Sequence, residues 1–391
     1  MTTQIVESCK RAQSSDTILS FKHLPIELLI EILLKLPVKA LIKLTCVCKT
    51  WYSVVNDSHF ITTHLNQSTL NGDNHLVHLP TSPSGKRWCS MLSMDTLDGL
   101  SIREIPFNPE FDTFRIAGSC NGLLCLTDYR FQHYGHTLYL WNPSTQKVNI
   151  LRDSCFPRKP DTFVVLGFGF HHQANDYKVV RILYDFNLYF NGGKGPEAEV
   201  FTLSTNSWRK IEADGIDFPD EQSMSVFVNG AVHGKASRGS PERIMSFNFA
   251  DEKFGEIMLP RRESDMERVT VKESIGVFKE LLALFRWYGE SKNCQVWVMR
   301  EYGVADSWTK QFSIDVRERI FQPLCFNRND EVLVQEGDDG RRLALYDLKS
   351  QELKAVCLEN RWIDFHAGAK TSMKVPFQKQ KEDNAASNGK R

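Results

Sequence analysis

The residues of this sequence best suited to chemistry include two short runs that contain glycine. Gly192–Gly195 (GGKG) looks like part of a phosphate-binding loop, but Gly195 stands where that loop needs a Ser or Thr. Gly167–Gly169 (GFG) lacks the third glycine and the following helix of a dinucleotide-binding turn. The first run is typical of a flexible loop, and neither run predicts a nucleotide site.

Two pairs of residues have the types that bind metals. His171 and His172 are adjacent, and adjacent side chains on a strand point to opposite faces, so they cannot easily share an ion. Cys46 and Cys48 are two residues apart on a predicted helix, so their side chains are separated by roughly 200° around its axis and cannot bind the same ion. The sequence also contains no Gly-x-Ser-x-Gly elbow and no His-Glu-x-x-His motif. We therefore expect no metal, no cofactor and no catalytic residue.

Composition narrows the classes of partner. The 391 residues include 48 Lys plus Arg and 48 Asp plus Glu, so no overall charge favours a nucleic acid or an anionic membrane. The ten cysteines form no Cys-x-x-Cys pair, and residues 1–20 have no apolar core of a signal peptide. We expect free thiols and an intracellular protein of the cytoplasm, the nucleus or both.

The stretch Leu24–Trp51 begins with an unusually apolar predicted helix. Within Ile26–Leu36 the charged residues are Glu27, Glu31 and Lys35, which form one narrow stripe on a helix and leave the rest of its circumference apolar. Such a helix needs cover on two sides, which leaves open a core helix of a larger domain or an interface helix. It is too short and too charged to span a membrane.

Further helices are predicted after Pro37, which ends the first. A second helix is expected over about Lys39–Cys48, followed by apolar anchors at Trp51, Val54 and Phe60. Together these segments make a small α-domain of about 45 residues, near the lower size limit for independent folding.

The chain divides by composition into five parts. Residues 1–20 and 369–391 are polar and predicted to be disordered tails. Residues 21–62 form the helical region, and residues 63–74 (THLNQSTLNGDN) form a polar linker. Residues 75–368 contain short alternating or β-branched runs separated by turn residues, as expected for an all-β domain.

The β region repeats. Each repeat has a strand, a polar turn and a large apolar residue that begins the returning strand; these anchors are Val148, Trp208, Phe254, Trp308 and Leu353. They are 60, 46, 54 and 45 residues apart, which is typical of a β-propeller with about six blades. A β-sandwich of the same strand content is the alternative. Asn121-Gly122 and Asn229-Gly230 predict tight turns with positive φ.

The stretch Leu24–Trp51 resembles the F-box. The residues that match the motif in register are Leu24, Pro25, Ile32, Leu36, Pro37, Leu41, Val47, Cys48, Lys49 and Trp51. Ala40 departs from the family, which often has an acidic or hydroxylated residue near the start of the second helix. Such a residue gives a helix cap worth about 1 kcal/mol.

The β region resembles the F-box-associated, kelch-like domain of plant proteins. The segments that carry the resemblance are SCNGLLCLTD (Ser119–Asp128), LWNPSTQK (Leu140–Lys147), GFGFHHQANDYKVVRI (Gly167–Ile182), VFTLSTNSWRKIE (Val200–Glu212) and IMSFNFADEKFGEIMLP (Ile244–Pro260). The repeats lack the double glycine of strict kelch units. Overall the chain is similar to S-locus F-box-like proteins.

This resemblance implies the substrate-recognition adaptor of a Skp1–cullin–F-box (SCF) ubiquitin ligase, a non-catalytic subunit whose F-box binds Skp1. The Skp1-binding residues that it implies are Leu24, Pro25, Leu28, Ile32, Leu36, Pro37, Val38, Leu41, Val47 and Trp51. Which of them face Skp1 and which fill the F-box's own core stays open, with Pro25 and Leu28 favoured for the interface.

The propeller would hold the target protein for ubiquitination and degradation. Tyr189 and Phe190, in the longest Gly-rich loop, and Arg261 and Arg262, in a charged loop, are the residues we expect to bind the target. If the S-locus resemblance holds, a stylar ribonuclease would be the target class. The competing interpretations are an F-box and propeller protein that acts outside a ligase, or a propeller enzyme with an added helical module.

Overall fold

The computed structural model describes residues 25–370 with internal gaps. The gaps are residues 71–73, 81–87, 109–112, 131–132, 152–153, 158–161, 186–194, 214–215, 217–222, 225, 237–242, 263–270, 289–292, 316–319, 337–341 and 357–362. The predicted tail at residues 1–20 therefore lies outside the described residues, as does the predicted C-terminal tail beyond Lys370. The chain forms two compact units that divide between His64 and Leu65.

The N-terminal unit is helical. Its helices are α1 (Ile26–Leu34), α2 (Val38–Leu44), α3 (Lys49–Asn56) and α4 (Ser58–Leu70), and the unit division falls within α4. Pro25 and Pro37 directly precede α1 and α2, where a missing N–H costs no hydrogen bond. Asp57 caps α4, because its Oδ1 accepts the N–H groups of His59 at 2.9 Å and Phe60 at 3.0 Å.

Two predictions about these helices need correction. The second helix was expected to reach Cys48, but α2 ends at Leu44. The N–H groups of Cys46 and Val47 donate to carbonyls three residues earlier in the chain, and the Thr45 hydroxyl donates to the Ile42 carbonyl at 2.7 Å. These hydrogen bonds form a tight turn where a further turn of α-helix was expected. The predicted linker at residues 63–74 is helical through Leu70, since its polar side chains do not prevent helix formation.

The C-terminal unit is a β-propeller with six four-stranded antiparallel blades. The first three blades are blade 1, with β25 (Ile363–Lys370), β1 (Asn74–Pro80), β2 (Trp88–Ser93) and β3 (Gly99–Glu104); blade 2, with β4 (Thr113–Cys120), β5 (Leu123–Arg130), β6 (His133–Asn142) and β7 (Lys147–Leu151); and blade 3, with β8 (Thr162–His171), β9 (Asp176–Asp185), β10 (Glu197–Thr202) and β11 (Ser207–Ile211).

The remaining blades follow the same pattern. They are blade 4, with β13 (Val226–Val228), β14 (Ala231–Lys235), β15 (Arg243–Asn248) and β16 (Lys253–Met258); blade 5, with β17 (Val271–Phe278), β18 (Leu281–Tyr288), β19 (Asn293–Met299) and β20 (Trp308–Asp315); and blade 6, with β21 (Ile320–Phe326), β22 (Val332–Glu336), β23 (Arg342–Tyr346) and β24 (Leu353–Val356). The short β12 (Ser223–Met224) pairs in parallel with β8.

The two ends of the propeller chain close the ring in blade 1. The C-terminal strand β25 pairs antiparallel with β1, so that Val77 lies opposite His366. Blade 6 also contacts blade 1 through the Arg328 Nε–Asp95 Oδ2 ion pair at 2.6 Å. This closure distinguishes the fold from a β-sandwich and confirms the predicted six-bladed architecture.

The predicted anchors begin the outer strands. Val148, Trp208, Phe254, Trp308 and Leu353 are each the first or second residue of the fourth strand of a blade, as the repeat predicted. Their period in the sequence is therefore the period of the blades.

Tight turns collect at one end of the blades, which we call the turn end. Here the first strand of a blade connects to the second and the third to the fourth, and every described residue with positive φ lies in these connections. Asn121 and Gly122 have φ of 49° and 81°, and Asn229 and Gly230 have φ of 51° and 74°, which confirms both predicted Asn-Gly turns. The opposite end, where first strands begin and second strands end, is the loop end.

Gly167 and Gly169 serve packing in the innermost strand of blade 3. A Cβ on Gly167 would come within 2.7 Å of Val232 and 2.8 Å of Val180. Glycine is required at this position because the strands of blades 3 and 4 approach too closely for a side chain. The run Gly167–Gly169 is thus part of strand β8 and not a nucleotide-binding turn.

Candidate functional site

Helix α1 has one covered apolar side and one exposed apolar side. Leu29 and Leu33 are buried, whereas Leu28 and Ile32, one turn apart, are 47% and 46% exposed. Exposed leucine and isoleucine side chains at i and i+4 lie next to each other on a helix surface. The surplus apolar surface that the sequence predicted for this helix therefore exists, and it faces away from the chain's own core.

Three further large apolar side chains of the helical unit are exposed. Val47, between α2 and α3, is 61% exposed, and Ile26 and Tyr52 are exposed as well. We call the set Ile26, Leu28, Ile32, Val47 and Tyr52 the apolar surface. Large exposed apolar groups in a unit this small are typical of a binding surface.

The structure separates the residues that were expected to bind Skp1. Pro25, Leu28, Ile32, Pro37 and Val47 are exposed, and Leu36 and Trp51 are half-buried. Val38 and Leu41 are buried within the chain itself, so they have no free surface for a partner. Leu24 lies outside the described residues. The motif spacing could not separate these groups, because core and interface positions share one helical period.

Two residues of the apolar surface were absent from the expected set. Ile26 belongs to the apolar run of α1, but it is not one of the positions matched to the F-box motif. Tyr52 directly follows Trp51, the residue predicted as an apolar anchor and a Skp1 contact. In the structure Tyr52 is exposed and Trp51 is half-buried. No local pattern would have reversed that choice.

The residues expected to bind a target are only partly described. Tyr189 and Phe190 lie outside the described residues. Arg261 is exposed and Arg262 is half-buried, and both follow Pro260 at the loop end of blade 4. Their neighbours on blade 5, Glu273 and Arg286, form a buried ion pair with an Nε–Oε1 distance of 2.6 Å.

Buried polar groups connect strands and blades rather than forming a reactive centre. In blade 3, Glu199 is buried and accepts hydrogen bonds from Arg181 Nε at 2.6 Å, from the Ser154 hydroxyl at 2.9 Å and from the Cys155 N–H at 2.7 Å. The Arg181 guanidinium also lies 4.2 Å from the centre of the Trp208 ring. These contacts hold β9 and β10 of blade 3 together and join them to the segment that follows β7 of blade 2.

His233 is a buried histidine between blades 4 and 5. Its Nδ1 lies 3.0 Å from the Val226 carbonyl oxygen, and its Nε2 lies 2.8 Å from the Tyr302 hydroxyl. Burial lowers the pKa of His233 to about 4, so the ring is neutral at physiological pH. These two contacts join His233 to an uncharged group of blade 4 and an uncharged group of blade 5, which is the geometry of a link between blades.

Four of the buried cysteines are poor nucleophiles. Burial raises the pKa of the thiols of Cys89, Cys125, Cys294 and Cys325 to about 12, so these side chains stay protonated at neutral pH. Cys46 and Cys48 are exposed free thiols in the helical unit.

Within the described residues, no three His, Cys, Asp or Glu side chains are grouped so that they could hold a metal ion. In the same part of the chain, no helix is long and apolar enough to cross a membrane.

Comparison with known families and proteins gives matches over both units. The F-box domain model matches residues 21–63, and the F-box associated beta propeller domain model matches residues 84–381. Three Arabidopsis thaliana proteins are similar over most of their length. F-box protein At3g07870 is 28% identical over 91% of this chain and 93% of that protein. F-box/kelch-repeat protein At3g23880 is 27% identical over 80% and 85%, and F-box protein CPR1 is 27% identical over 86% and 85%.

Proposed function

Because the chain belongs to the family of F-box proteins that carry an F-box-associated β-propeller domain, we propose that it is the substrate-recognition adaptor of an SCF ubiquitin ligase. In this role the helical unit binds a Skp1-like protein, and the propeller binds a target protein. The cullin and its RING subunit then bring a ubiquitin-loaded E2 enzyme to the target. The adaptor itself performs no catalytic step and acts in the cytoplasm, the nucleus or both.

The observation that carries this proposal is the exposed side of α1. Leu28 and Ile32 leave about half of their surface in water, although α1 has a second apolar side that is buried. Covering such groups is favourable by roughly 25 cal/mol for each Å² of apolar surface. A Skp1-like protein is the partner that an F-box implies, and Pro25, Pro37 and Val47 are exposed in the same unit.

The test is co-purification of the full chain with a plant Skp1-like protein and its cullin. The variant Leu28→Asp/Ile32→Asp places two charges on the apolar surface, and we expect it to weaken Skp1 binding about hundredfold or more. The matched control is Thr62→Asp, an exposed position of α4, which should bind normally. Failure of the unmodified chain to bind any Skp1-like protein would overturn the proposal.

On the target side, we propose contacts from Tyr189, Phe190, Arg261 and Arg262. Arg261 and Arg262 are supported by their place at the loop end of the propeller, directly after blade 4. Tyr189 and Phe190 are supported by the Gly-rich sequence around them alone. The narrower proposal of a stylar ribonuclease rests only on the S-locus F-box-like resemblance. It predicts that such a ribonuclease is captured by the full chain and is ubiquitinated in a reconstituted SCF reaction.

A further inference from the structure

The exposed thiols of the described residues lie together in the helical unit. Eight cysteines belong to the described part of the chain, and among them only Cys46 and Cys48 are exposed. Free cysteine is one of the most buried residue types in folded proteins, so two exposed thiols separated by a single residue are unusual. Within the described part of the chain, thiol chemistry that needs access from solvent is therefore concentrated at this position.

The described cysteines of the propeller unit do not offer comparable access. Cys155 is half-buried, and the others are buried: Cys89, Cys120, Cys125, Cys294 and Cys325. Burial raises the thiol pKa of four of these five to about 12, and disulfides react with the thiolate rather than with the protonated thiol. The buried propeller thiols should therefore react much more slowly than Cys46 and Cys48.

Val47 lies between the two thiols and belongs to the apolar surface. It is 61% exposed, which is the largest value in that set of residues. The backbone on both sides is fixed by hydrogen bonds: the Cys46 N–H donates to the Lys43 carbonyl at 3.2 Å, and the Cys48 carbonyl accepts the Tyr52 N–H at 3.0 Å. Cys48 is the N-cap residue of α3. A group attached to either sulfur is therefore held next to Val47.

We propose that Cys46 and Cys48 form a modification site, at which a mixed disulfide with glutathione prevents binding of the Skp1-like protein. This deepens the proposed adaptor function and rests on it. In the step, a cysteine thiolate attacks one sulfur of glutathione disulfide, and the S–S bond of that molecule breaks. The leaving glutathione thiolate takes up the proton that the cysteine lost. The cysteine is thereby oxidised to the mixed disulfide, and one glutathione is released in reduced form.

The attached group opposes burial of the apolar surface. A glutathionyl group carries two carboxylates and one ammonium group, and a partner that covers Val47 would have to bury or displace these charges. Modification needs the two thiols in water, whereas partner binding covers the residue between them, so the two events exclude each other. Because such coupling is reciprocal, a bound Skp1-like protein must also protect Cys46 and Cys48 from modification.

The first experiment treats the full chain with glutathione disulfide and locates the modified cysteines by mass spectrometry of its peptides. We expect modification of Cys46, Cys48 or both, and none of the buried propeller cysteines. The same treatment of the full chain bound to a Skp1-like protein should modify Cys46 and Cys48 about tenfold more slowly or less. Equal rates for the free and the bound chain would overturn the inference, as would buried cysteines that react as fast as this pair.

The second experiment measures the affinity of the treated full chain for an untreated Skp1-like protein, after excess glutathione disulfide has been removed. Treatment should weaken binding about tenfold or more, and reduction with dithiothreitol should restore it. For the variant Cys46→Ser/Cys48→Ser, the affinities before and after treatment should be equal. The matched control is Cys9→Ser/Cys357→Ser, which keeps both exposed thiols and should respond to treatment as the unmodified chain does.

Three results of the second experiment would overturn the inference. A treated Cys46→Ser/Cys48→Ser chain that loses binding would assign the effect to other cysteines. Mixed disulfides at Cys46 or Cys48 with unchanged affinity would mean that the site does not control binding. A Cys46–Cys48 disulfide in place of mixed disulfides would mean that the product is not the proposed one. If the untreated chain binds no Skp1-like protein, the adaptor function itself is contradicted, whereas the thiol site is still decided by the peptide masses of the first experiment.

Discussion

The ion pair between Arg181 on β9 and Glu199 on β10 offers the sharpest test of how the propeller is stabilised. Both side chains are buried, and Arg181 Nε donates to Glu199 Oε1 at 2.6 Å. The perturbations are Glu199→Leu, Arg181→Met and the double variant. Each removes one or both charges while keeping much of the side-chain volume.

The three variants should differ in a predictable order. Glu199→Leu leaves a guanidinium that stays charged in the buried interior, so it should cost about 3–5 kcal/mol of unfolding free energy. Arg181→Met should cost less, because the Glu199 carboxylate keeps the Ser154 hydroxyl and the Cys155 N–H as donors. The double variant removes both charges and leaves those two donors without their acceptor, for a cost of about 1–2 kcal/mol.

Urea unfolding of the full chain, followed by the circular dichroism of its β-sheets, measures these differences. The matched control is Lys279→Met/Asp330→Asn, which removes an exposed ion pair of 2.8 Å, keeps a side chain that tolerates the φ of 62° at residue 330, and should change stability by less than about 1 kcal/mol. If the double variant were as unstable as the sum of the single variants, the two charges would not be coupled. The explanation of their burial would then be wrong.

Two further predictions concern single residues. Because the pKa of His233 is about 4 in the folded chain and about 6.5 when unfolded, the unfolded state binds more protons between these values, and stability falls as pH decreases from about 6.5. At pH 5 the loss of unfolding free energy should be about 2 kcal/mol. The urea midpoints at pH 7 and pH 5 should therefore differ less for His233→Gln than for the unmodified chain. Equal differences in the two proteins would contradict this prediction. Glu280 has a φ of 65° in the tight turn between β17 and β18, so Glu280→Gly should stabilise the propeller by about 0.5–1 kcal/mol. Glu104→Gly in strand β3, the control in the same thermal unfolding experiment, should destabilise it by a similar amount, and a lower midpoint for Glu280→Gly would be a refutation.

The fold was predictable where its signal is local and repeated. The anchors Val148 and Trp208 predict outer strands, and Asn121-Gly122 predicts a tight turn. Each of these patterns depends on only a few neighbouring residues. The pairing of β1 with β25 has no such signal. Val77 and His366 are opposite each other in the sheet, although nearly the whole propeller sequence separates them. The polar composition predicts a disordered tail from residue 369, but β25 continues to Lys370.

The candidate site was predictable in its chemistry but not in its details. Periodicity predicts that α1 has more apolar surface than its small domain can cover. It does not distinguish Leu29 and Leu33, which are buried, from Leu28 and Ile32, which are exposed. That difference depends on tertiary packing, which a helical period does not encode.

Ring closure by β25 has a consequence for synthesis of the chain. The helical unit and five complete blades precede Ile363, so the ribosome has made nearly everything before blade 1 can receive its innermost strand. Until then β1 has an unpaired edge, which is a template for association with other chains. A chain cut short before Ile363 would retain the F-box with its exposed Leu28 and Ile32 but present an open ring. Under the proposed function, such a product would bind Skp1 without a complete propeller to bind a target.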